Sequence, residues 1–538
     1  MNTIKKLFYA LLALPILLTG CDKNFDEINS SPNATTKVPT PYVMTYAQRQ
    51  LGYNTFDVWN SGRQSLLGAQ YWAQRNYTSE DRYIFRQETT NAFSRNTYFN
   101  LQNFQDIINL NTNDDTKAAM TVYGDNAVQI ATSRLMIIWA IEMLAETFGD
   151  VPYTEALQIG TLLQPKYDKQ STLFPKLLAD AKTAVDALKT ASNGWVQGDV
   201  MFDGDIDKWI KFGNSLRLRL VVRQSNVKSD WKTVAKAIIA EGVMESNDDN
   251  ALIQFTGPGA PNEAPLYNGF IVGKRNDFTL TKQFVGLLSG VNDTDKGFTN
   301  PFLGLEDPRF KIYIGATNYD VGRTMGVPYG MSDADTKQFV ASNTAKVISL
   351  YRLPSPQIIQ ASFWSVFLDY PTVAFMISEV NDWDRGAFED AVKASFAQWG
   401  ENAVEDYPLS LSPTDAYADK QYKDLVKKYV DSVMVRFDAA TTEGKKEIVL
   451  TQKYMHLFTQ GFEAWSEYRR TGYPKSIVKP GEKTNGTITF VTANPTGTDI
   501  VPRLKYDSNE YTLNKANVEA AATSIGGDTY ATKLWWAK

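Results

Sequence analysis

Apolar residues recur every three or four positions along most of the chain, which is the spacing of one face of an α-helix. Polar residues fill the positions between them, so each such segment predicts an amphipathic helix. The first four stripes are Tyr98, Leu101 and Ile108; Ala127, Ile130, Ile138 and Ala145; Leu173, Leu177, Ala181 and Leu188; and Trp209, Phe212, Leu216 and Leu220. Helices that must bury these stripes against their neighbours predict a mainly α-helical stack of helix pairs.

The same spacing returns in the last third of the chain and predicts helices at residues 371–380, 388–396 and 422–437. The clearest stripe, which we assign to one helix, is Ile448, Met455, Phe458, Phe462 and Trp465. A polar tail rich in glycine, threonine and proline follows, with a short β-like piece at residues 488–491. No repeat of fixed length is visible, so a solenoid is only a hypothesis.

Between about residues 247 and 365 the helical spacing stops. Gly257-Pro258-Gly259, Pro308 and Pro328 are among the residues that break any long helix here. A region of this length without regular elements is usually functional in a compact protein. It either carries a ligand surface or is a structural insertion wrapped round the helices, and the sequence leaves both interpretations open.

The N-terminus has the layout of a secretory signal. Two lysines precede an apolar run at residues 7–18, and about 12 residues are too few to span a bilayer. The end of this run, Leu17-Leu18-Thr19-Gly20-Cys21, resembles the lipobox of bacterial lipoproteins, in which the cysteine is lipidated. The alternative is an ordinary signal peptide with an incidental thiol. We expect a signal peptide at 1–20, a lipidated tether at 21–41 and one domain at 42–538, with no second apolar run of spanning length.

Composition removes several kinds of chemistry. The net charge of −5 gives no basic footprint for nucleic acid. With one histidine in the chain, a Ser-His-Asp triad could be built only around His456, which lies in a helical run and is expected to be structural or exposed and not catalytic. No phosphate-binding glycine loop or dinucleotide fingerprint is present, so we expect no cofactor. The acidic run at residues 292–295 is too short for a calcium loop, so we expect no metal.

Several stretches, in order and at matching spacing, resemble the SusD/RagB family of nutrient-binding outer-membrane lipoproteins. The most recognisable is the helix end LAETFGDVPYTEAL at residues 144–157. The others are residues 21–29 with Pro32-Asn33, Tyr167-Asp168, Lys208-Trp209 with residues 214–219, residues 307–310, residues 461–465 with 469–474, and residues 502–504 before Glu510. Together they cover nearly the whole mature chain, so the resemblance does not depend on any one of them.

The resemblance implies a mainly α fold, in which four tetratricopeptide-like helix pairs form a scaffold beside a large irregular, loop-rich region and a few short strands. It implies a lipid-anchored protein of the outer membrane, exposed at the cell surface. The implied function is to capture a nutrient and to deliver it as a lid to a SusC-like TonB-dependent transporter. The implied ligand is a glycan, or alternatively a peptide, and no bond is broken, so no catalytic residue is expected.

Two other functions stay open. A helical glycoside hydrolase would need two carboxylates at a set separation, and Glu155 and Glu463 are the candidates. Both lie in stretches that look architectural, which argues against catalysis. A structural or adhesive lipoprotein without a small ligand is the remaining possibility.

Most landmark residues of the resemblance are expected to be architectural. Trp209 and Trp465 lie on apolar stripes and should pack in the core. Gly149 should end its helix with a left-handed cap, because glycine tolerates positive φ. The arginines of these stretches are expected to pair with acidic residues or helix ends: Arg217, Arg219, Arg469 and Arg470.

Ligand residues do not transfer by motif, so we choose them from composition. Aromatic residues make up 12% of the chain, and tyrosine and tryptophan offer flat apolar faces with a polar edge. Our candidates are Trp59, Tyr71, Trp72, Arg75, Tyr77, Arg82 and Tyr83, with Tyr267, Tyr319 and Tyr329 from the irregular region. Core burial or contact with the barrel is an equal alternative for each. As a ligand residue, Trp72 should tolerate replacement by alanine without loss of stability.

Overall fold

The computed structural model describes residues 38–59, 61–350, 355, 358–401, 416–492, 497 and 499–537. Within them the chain is mainly helical with a few short strands, which confirms the predicted fold class. The predicted signal peptide, the lipidation site Cys21 and residues 21–37 of the predicted tether lie outside the described residues.

The first half of the chain is a stack of helices. Helices α1 to α7 are Thr40–Phe56, Gln87–Thr112, Lys117–Met120, Asn126–Phe148, Gln170–Lys189, Ile206–Arg223 and Trp231–Ala240. The long helices pack in succession: α1 on α2, α2 on α4, α4 on α5, α5 on α6 and α6 on α7. The stripes of α5 and α6 are buried by this packing. In the first two stripes Leu101, Ile108, Ile138 and Ala145 are buried, Tyr98 and Ile130 are half-buried, and Ala127 at the start of α4 is exposed.

Local signals fix some helix ends. The Asp205 side chain accepts a hydrogen bond from the backbone N–H of Lys208 and so caps the start of α6. Gly149 ends α4 with φ 105° and ψ −128°, a conformation that only glycine adopts readily. The predicted stop is confirmed, although this conformation lies outside the left-handed helical region that we expected.

The α4 helix corrects one sequence expectation. It is long and apolar enough to cross a membrane, although we expected no second run of this kind. In the structure 83% of its most apolar window is buried inside the protein. Its hydrophobicity therefore reflects burial on all sides by neighbouring helices.

The irregular region is closed by a pair of strands. The strands β1 to β6 are Trp72–Gln74, Ala251–Gln254, Phe278–Leu280, Trp364–Leu368, Lys483–Asn485 and Ile488–Thr489. β2 pairs antiparallel with β4, so the chain leaves and re-enters the helical stack at neighbouring points. The helices inside this loop, α8 to α12, are Pro265–Tyr267, Lys282–Leu288, Arg309–Ile314, Ala316–Asp320 and Asp333–Ser342.

The helical stack resumes after β4. Helices α13 to α19 are Tyr370–Val380, Arg385–Phe396, Ala416–Ala439, Thr442–His456, Gly461–Thr471, Glu510–Leu513 and Lys515–Ser524. α13 packs on α6 and α7, and α14 packs on α13. The stripe from Ile448 to Trp465, which we assigned to one helix, is divided between α16 and α17. The helix is interrupted between His456 and Gly461, where Thr459 has a positive φ of 75°.

Charged side chains cross the middle of the stack. We call the following nine residues of α4, α6, α13, α16 and α17 the central network: Arg219, Arg223, Lys453 and Arg470 with Glu142, Glu146, Glu379, Glu463 and Glu467. Arg223 is fully buried and lies 2.6 Å from Glu146 and 2.7 Å from Glu463, and it also contacts Glu467. The network thereby ties five helices together.

The predicted roles of the landmark arginines and tryptophans are confirmed. Arg217 pairs with Glu241 at 2.7 Å, and Arg469 donates to the carbonyl oxygens of Trp465 and Pro502. Trp209 and Trp465 are buried.

One carboxylate of the central network has a shifted pKa. Burial raises the pKa of Glu142 to about 7, although Arg219 beside it acts in the opposite direction.

Candidate ligand-binding site

Pairing between two short strands brings the two sequence regions with candidate ligand residues together. β1 pairs antiparallel with β3, with Gln74 opposite Phe278. The backbone N–H of Arg75 extends this ladder by donating to the carbonyl oxygen of Asp277 at 2.6 Å. The segment after β1 and the segment before β3 therefore lie next to each other at the same end of the two-stranded sheet.

A half-exposed tryptophan lies among arginines in this part of the molecule. Trp59 follows the end of α1 and is 37% exposed. The guanidinium carbons of Arg63, Arg275 and Arg86 lie 4.2, 4.1 and 5.4 Å from the centre of its ring. We call this group, together with the carboxylates that hold it, the Trp59 site: Trp59, Arg63, Arg86 and Arg275 with Glu80 and Asp277.

Two buried carboxylates organise the arginines. Arg63 is buried and lies 3.3 Å from Glu80 and 2.6 Å from Asp277. Glu80 also lies 2.9 Å from the Nε of Arg86, and Asp277 lies 3.5 Å from Arg275. Burial lowers the pKa of Arg63, although Glu80 acts in the opposite direction, and a guanidinium stays charged at neutral pH. The site therefore holds three cations against two anions in a protein of net charge −5.

The exposed part of the site consists of cations and aromatic edges. The Arg86 and Arg275 side chains are 42% and 39% exposed, whereas Glu80 and Asp277 lie beneath them. Tyr77, two residues beyond the ladder at Arg75, is also exposed, and its backbone N–H donates to Asp333. Such a surface can stack on a ligand and donate hydrogen bonds to its oxygen atoms.

The ten candidate residues fall into three groups: exposed, partly exposed and buried. Trp59 and Tyr77 are exposed, as a ligand contact requires. Four candidates are partly exposed: Arg75, Arg82, Tyr267 and Tyr319. Arg82 donates to the Thr78 carbonyl oxygen at 3.3 Å, and the Tyr319 hydroxyl donates to Glu306 at 2.8 Å, so these two side chains already have local partners. Of the four, Arg75 is joined to the Trp59 site, because its backbone N–H donates to the carbonyl oxygen of Asp277.

Four candidates are buried, so the expectation that they form a binding surface is wrong. Tyr71 stacks on Tyr454 with ring centres 4.5 Å apart, and Trp72 packs against Phe278 at 5.1 Å. Tyr83 and Tyr329 both pack edge-on against Phe490, at 5.2 and 5.5 Å. Aromatic residues in a poorly periodic segment are in this case the core beneath the irregular region, because loops that cover helices still need apolar side chains to pack on them.

The sequence reasoning missed three arginines of the site. Arg63 lies within the candidate segment, Arg86 follows it, and Arg275 lies in the irregular region beside Lys274. The proximity of Arg275 to Trp59 depends on the pairing of β1 with β3, two strands that are about 200 residues apart in the chain. The one local signal was the density of arginine around Trp59 and Tyr77.

A second candidate is an apolar cleft elsewhere on the molecule. It has a volume of about 460 Å³ and lies between α2, the loop after α4 and α18. Its lining includes Tyr98, Phe148 and four exposed apolar residues: Phe99, Ile159, Leu163 and Leu513. We prefer the Trp59 site as the ligand site, because the lining of this cleft is mostly apolar, whereas the Trp59 site offers half-exposed guanidinium groups.

The buried histidine has the partners of a hydrolytic triad without access for a substrate. Ser395 Oγ lies 2.9 Å from Nδ1 of His456, and Asp369 Oδ2 lies 3.0 Å from Nε2. All three residues are fully buried, and Arg309 donates to the same serine oxygen at 2.7 Å. The serine cannot reach a substrate, so the prediction that His456 is structural is confirmed.

The other acidic candidates have cationic partners. Glu155 lies 3.1 Å from Lys166, and Glu463 lies 2.7 Å from Arg223. In the acidic run at 292–295, Asp293 and Asp295 lie 3.0 and 2.5 Å from the ammonium group of Lys282. A lysine thus occupies the position between these two carboxylates, and the described residues contain no cluster of three or more ligands suited to a metal ion.

Solved structures similar to the chain share one fold over nearly its whole length. A chitin-binding protein matches with 23% identity and a TM-score of 0.69, covering 93% of this chain and all of its own. A chitin-binding SusD homolog from Flavobacterium johnsoniae matches with 20% identity and a TM-score of 0.67, covering 92% of this chain and 97% of its own. A SusD homolog from Bacteroides fragilis matches with 20% identity and a TM-score of 0.68, covering 93% and 99%. At these identities the likeness shows the fold alone.

Sequence comparison extends this likeness to a family. No curated protein sequence matches the chain. The profile of the SusD-like family described as starch-binding and associating with the outer membrane matches residues 32–492, which is most of the chain. The chain therefore belongs to this SusD-like family.

Proposed function

We propose that the chain is a cell-surface lipoprotein that captures a glycan at the Trp59 site and delivers it to a SusC-like TonB-dependent transporter. The observation that carries the proposal is the half-exposed Trp59 beside the half-exposed guanidinium groups of Arg86 and Arg275. The family description and the chitin-binding neighbours support a saccharide as the ligand.

Binding at this site requires no chemical step. The Tyr77 ring and the exposed edge of the indole ring contact the apolar faces of a sugar. The guanidinium groups, which already cover part of the indole ring, donate to the oxygens of the sugar. The ion pairs with Glu80 and Asp277 hold the arginines in place before the ligand arrives, which limits the entropy lost on binding. One or two stacking residues give modest affinity, so retention would depend on the lid that the transporter and this protein form together.

The membrane anchor and the transporter are the finer parts of the proposal. Acylation at Cys21 would hold the protein at the outer membrane, and several acyl chains are needed for a lasting anchor. The exposed apolar rim of the cleft at Phe99 and Leu163 is a surface of the kind that contacts other proteins. A labelled palmitate analogue should be incorporated into the wild type and not into Cys21→Ala, and protease added to intact cells should degrade the wild type.

A glycan array followed by calorimetry tests the ligand. We expect saturable binding to at least one saccharide, weakened about tenfold by Trp59→Ala. Phe99→Ala is the matched control, because Phe99 is an exposed aromatic residue on the rim of the cleft. Loss of binding in the control and not in Trp59→Ala would place the ligand in the cleft and reject the Trp59 site.

The same preparations separate the competing functions. A peptide library measures the peptide alternative, and an assay for new reducing ends measures hydrolysis. Release of reducing ends that disappears in Glu155→Gln or Glu463→Gln would reject the binding-protein proposal. Saturable binding without product release supports it, and the absence of binding to any saccharide or peptide supports an adhesive or structural protein instead.

A further inference from the structure

The Trp59 site presents positive charge to a ligand and hides its negative charge. Arg86 and Arg275 are the half-exposed groups, whereas Glu80, Asp277 and the neighbouring Asp57 are buried. Asp57 accepts a hydrogen bond from the backbone N–H of Trp59 and is buried. A ligand that approaches from solvent therefore meets cations first.

The exposed arginines keep free hydrogen-bond donors. Within the described part of the chain, the Arg86 side chain makes its one ion pair through Nε, and Arg275 makes its one ion pair through Nη1, at 3.5 Å. The remaining N–H groups of each planar fork point to no protein acceptor in these residues. Such forks match the two oxygens of a carboxylate or a sulfate.

The indole ring is not a free stacking platform. Guanidinium carbons at 4.1 and 4.2 Å from its centre already make cation–π contacts with it. The apolar face of a neutral sugar would have to compete with them, whereas an anionic group would bind the outward N–H groups of Arg275 without displacing its side chain; Arg63 is buried. The main role of the ring is therefore to hold the Arg63 and Arg275 side chains in position.

We propose that the saccharide taken by the Trp59 site carries an anionic group, a uronic acid carboxylate or a sulfate ester, which binds Arg86 and Arg275. This inference rests on the proposed function and names its ligand class. It differs from the neutral polymers, starch and chitin, that appear in the descriptions of the family and of two similar structures.

Matched ligands test the charge alone. We would measure by calorimetry the affinity for galacturonic acid oligomers and for the same oligomers with every carboxylate methylated. A second pair, sulfated carrageenan oligomers and the same oligomers after desulfation, contains no carboxylate and so distinguishes a sulfate from a carboxylate. We expect at least one charged member to bind about tenfold or more tightly than its uncharged partner, with an affinity that falls as salt is raised.

Variants connect this preference to the two arginines. Arg86→Gln and Arg275→Gln should each reduce the affinity for the charged oligomer about tenfold and leave the thermal midpoint unchanged, because both side chains are at the surface. Arg275→Lys keeps the charge and should restore part of the affinity. Arg385→Gln is the control, since Arg385 is an exposed, ion-paired arginine on α14.

The outcomes separate this inference from the proposed function. If a neutral saccharide binds as well as or better than every charged one, the inference is wrong and the glycan-binding function stands. If Arg275→Gln weakens neutral and charged oligomers equally, the charge preference is likewise rejected. Preference for acidic peptides over every saccharide, or binding to no saccharide at all, would reject both.

Discussion

The central network and the Trp59 site are built from the same residue types in different surroundings. In the network, Arg223 has no exposed surface and contacts three glutamates. In the site, Arg63 is buried in the same way, but Arg86 and Arg275 are half-exposed and each has one carboxylate partner. The network has five carboxylates for four cations, and the site has three cations for two carboxylates.

The difference separates arginines that hold helices together from arginines that can bind a ligand. A buried charge must be matched by partners, because an unpaired charge away from water costs several kcal/mol. A half-exposed guanidinium carries no such requirement, since water satisfies the N–H groups that the protein leaves free. Burial, and not residue type, therefore decides which arginines are available for function.

Removing the central arginine should have the largest effect. Arg223→Met leaves Glu146, Glu463 and Glu467 without their shared partner, and we expect the free energy of unfolding to fall by about 3–5 kcal/mol. Chemical denaturation of the purified soluble domain measures it. A loss below about 1 kcal/mol would mean that the network is no more structural than a surface ion pair.

Replacing Trp72 in the core and Trp59 in the site should have different effects, the first on stability and the second on ligand binding. Trp72→Ala removes a buried side chain packed on Phe270 and Phe278, so we expect a loss of about 3 kcal/mol or more. This reverses the expectation from sequence that Trp72 could be replaced at no cost. Trp59→Ala should leave the thermal midpoint within a few degrees of wild type and weaken ligand capture. Equal destabilisation by both variants would contradict the distinction.

The network should also make stability depend on pH. The pKa of Glu142 is raised to about 7 in the folded protein, against about 4.3 for an unperturbed glutamate. The folded state therefore binds the extra proton, and the contribution to stability is full below about pH 4 and declines as pH rises through 7, by up to about 1.4 kcal/mol per pH unit. The wild-type free energy of unfolding should fall relative to Glu142→Gln between pH 5 and 8. A constant difference between the two proteins would contradict the assignment.

The smallest effect should come from an arginine that belongs to neither region. Arg385 forms exposed ion pairs with Glu389 and Asp438. Arg385→Gln should change neither the thermal midpoint nor ligand affinity measurably, because water screens such pairs. A clear effect of this variant on binding would show that surface charge in general, and not the Trp59 site, attracts the ligand.

Sequence periodicity was enough to predict the helical scaffold. The stripes at Leu173 and Trp209 lie on α5 and α6, and the helix stop at Gly149 is present, because these signals are local. The break between Met455 and Phe462 was missed, since an apolar stripe continues across it with compatible spacing. Glycine and proline marked the irregular region but could not show that β2 and β4 close it.

The site was predicted only in part. Trp59 and Tyr77, two of the ligand candidates, are exposed, whereas Tyr71 and Trp72 are core. The sequence places all four in one segment and gives no signal that separates them, because exposure depends on what packs over each ring. Arg275 was out of reach for the same reason: its position beside Trp59 follows from a strand pairing between distant parts of the chain.

A crystal structure of the protein with its tightest-binding saccharide would test the central claim most directly. We predict density for the sugar within hydrogen-bonding distance of Arg86 or Arg275 and in contact with the Trp59 ring, with Glu80 and Asp277 unmoved beneath. Saccharide density in the apolar cleft beside Tyr98, with the Trp59 site empty, would contradict the account.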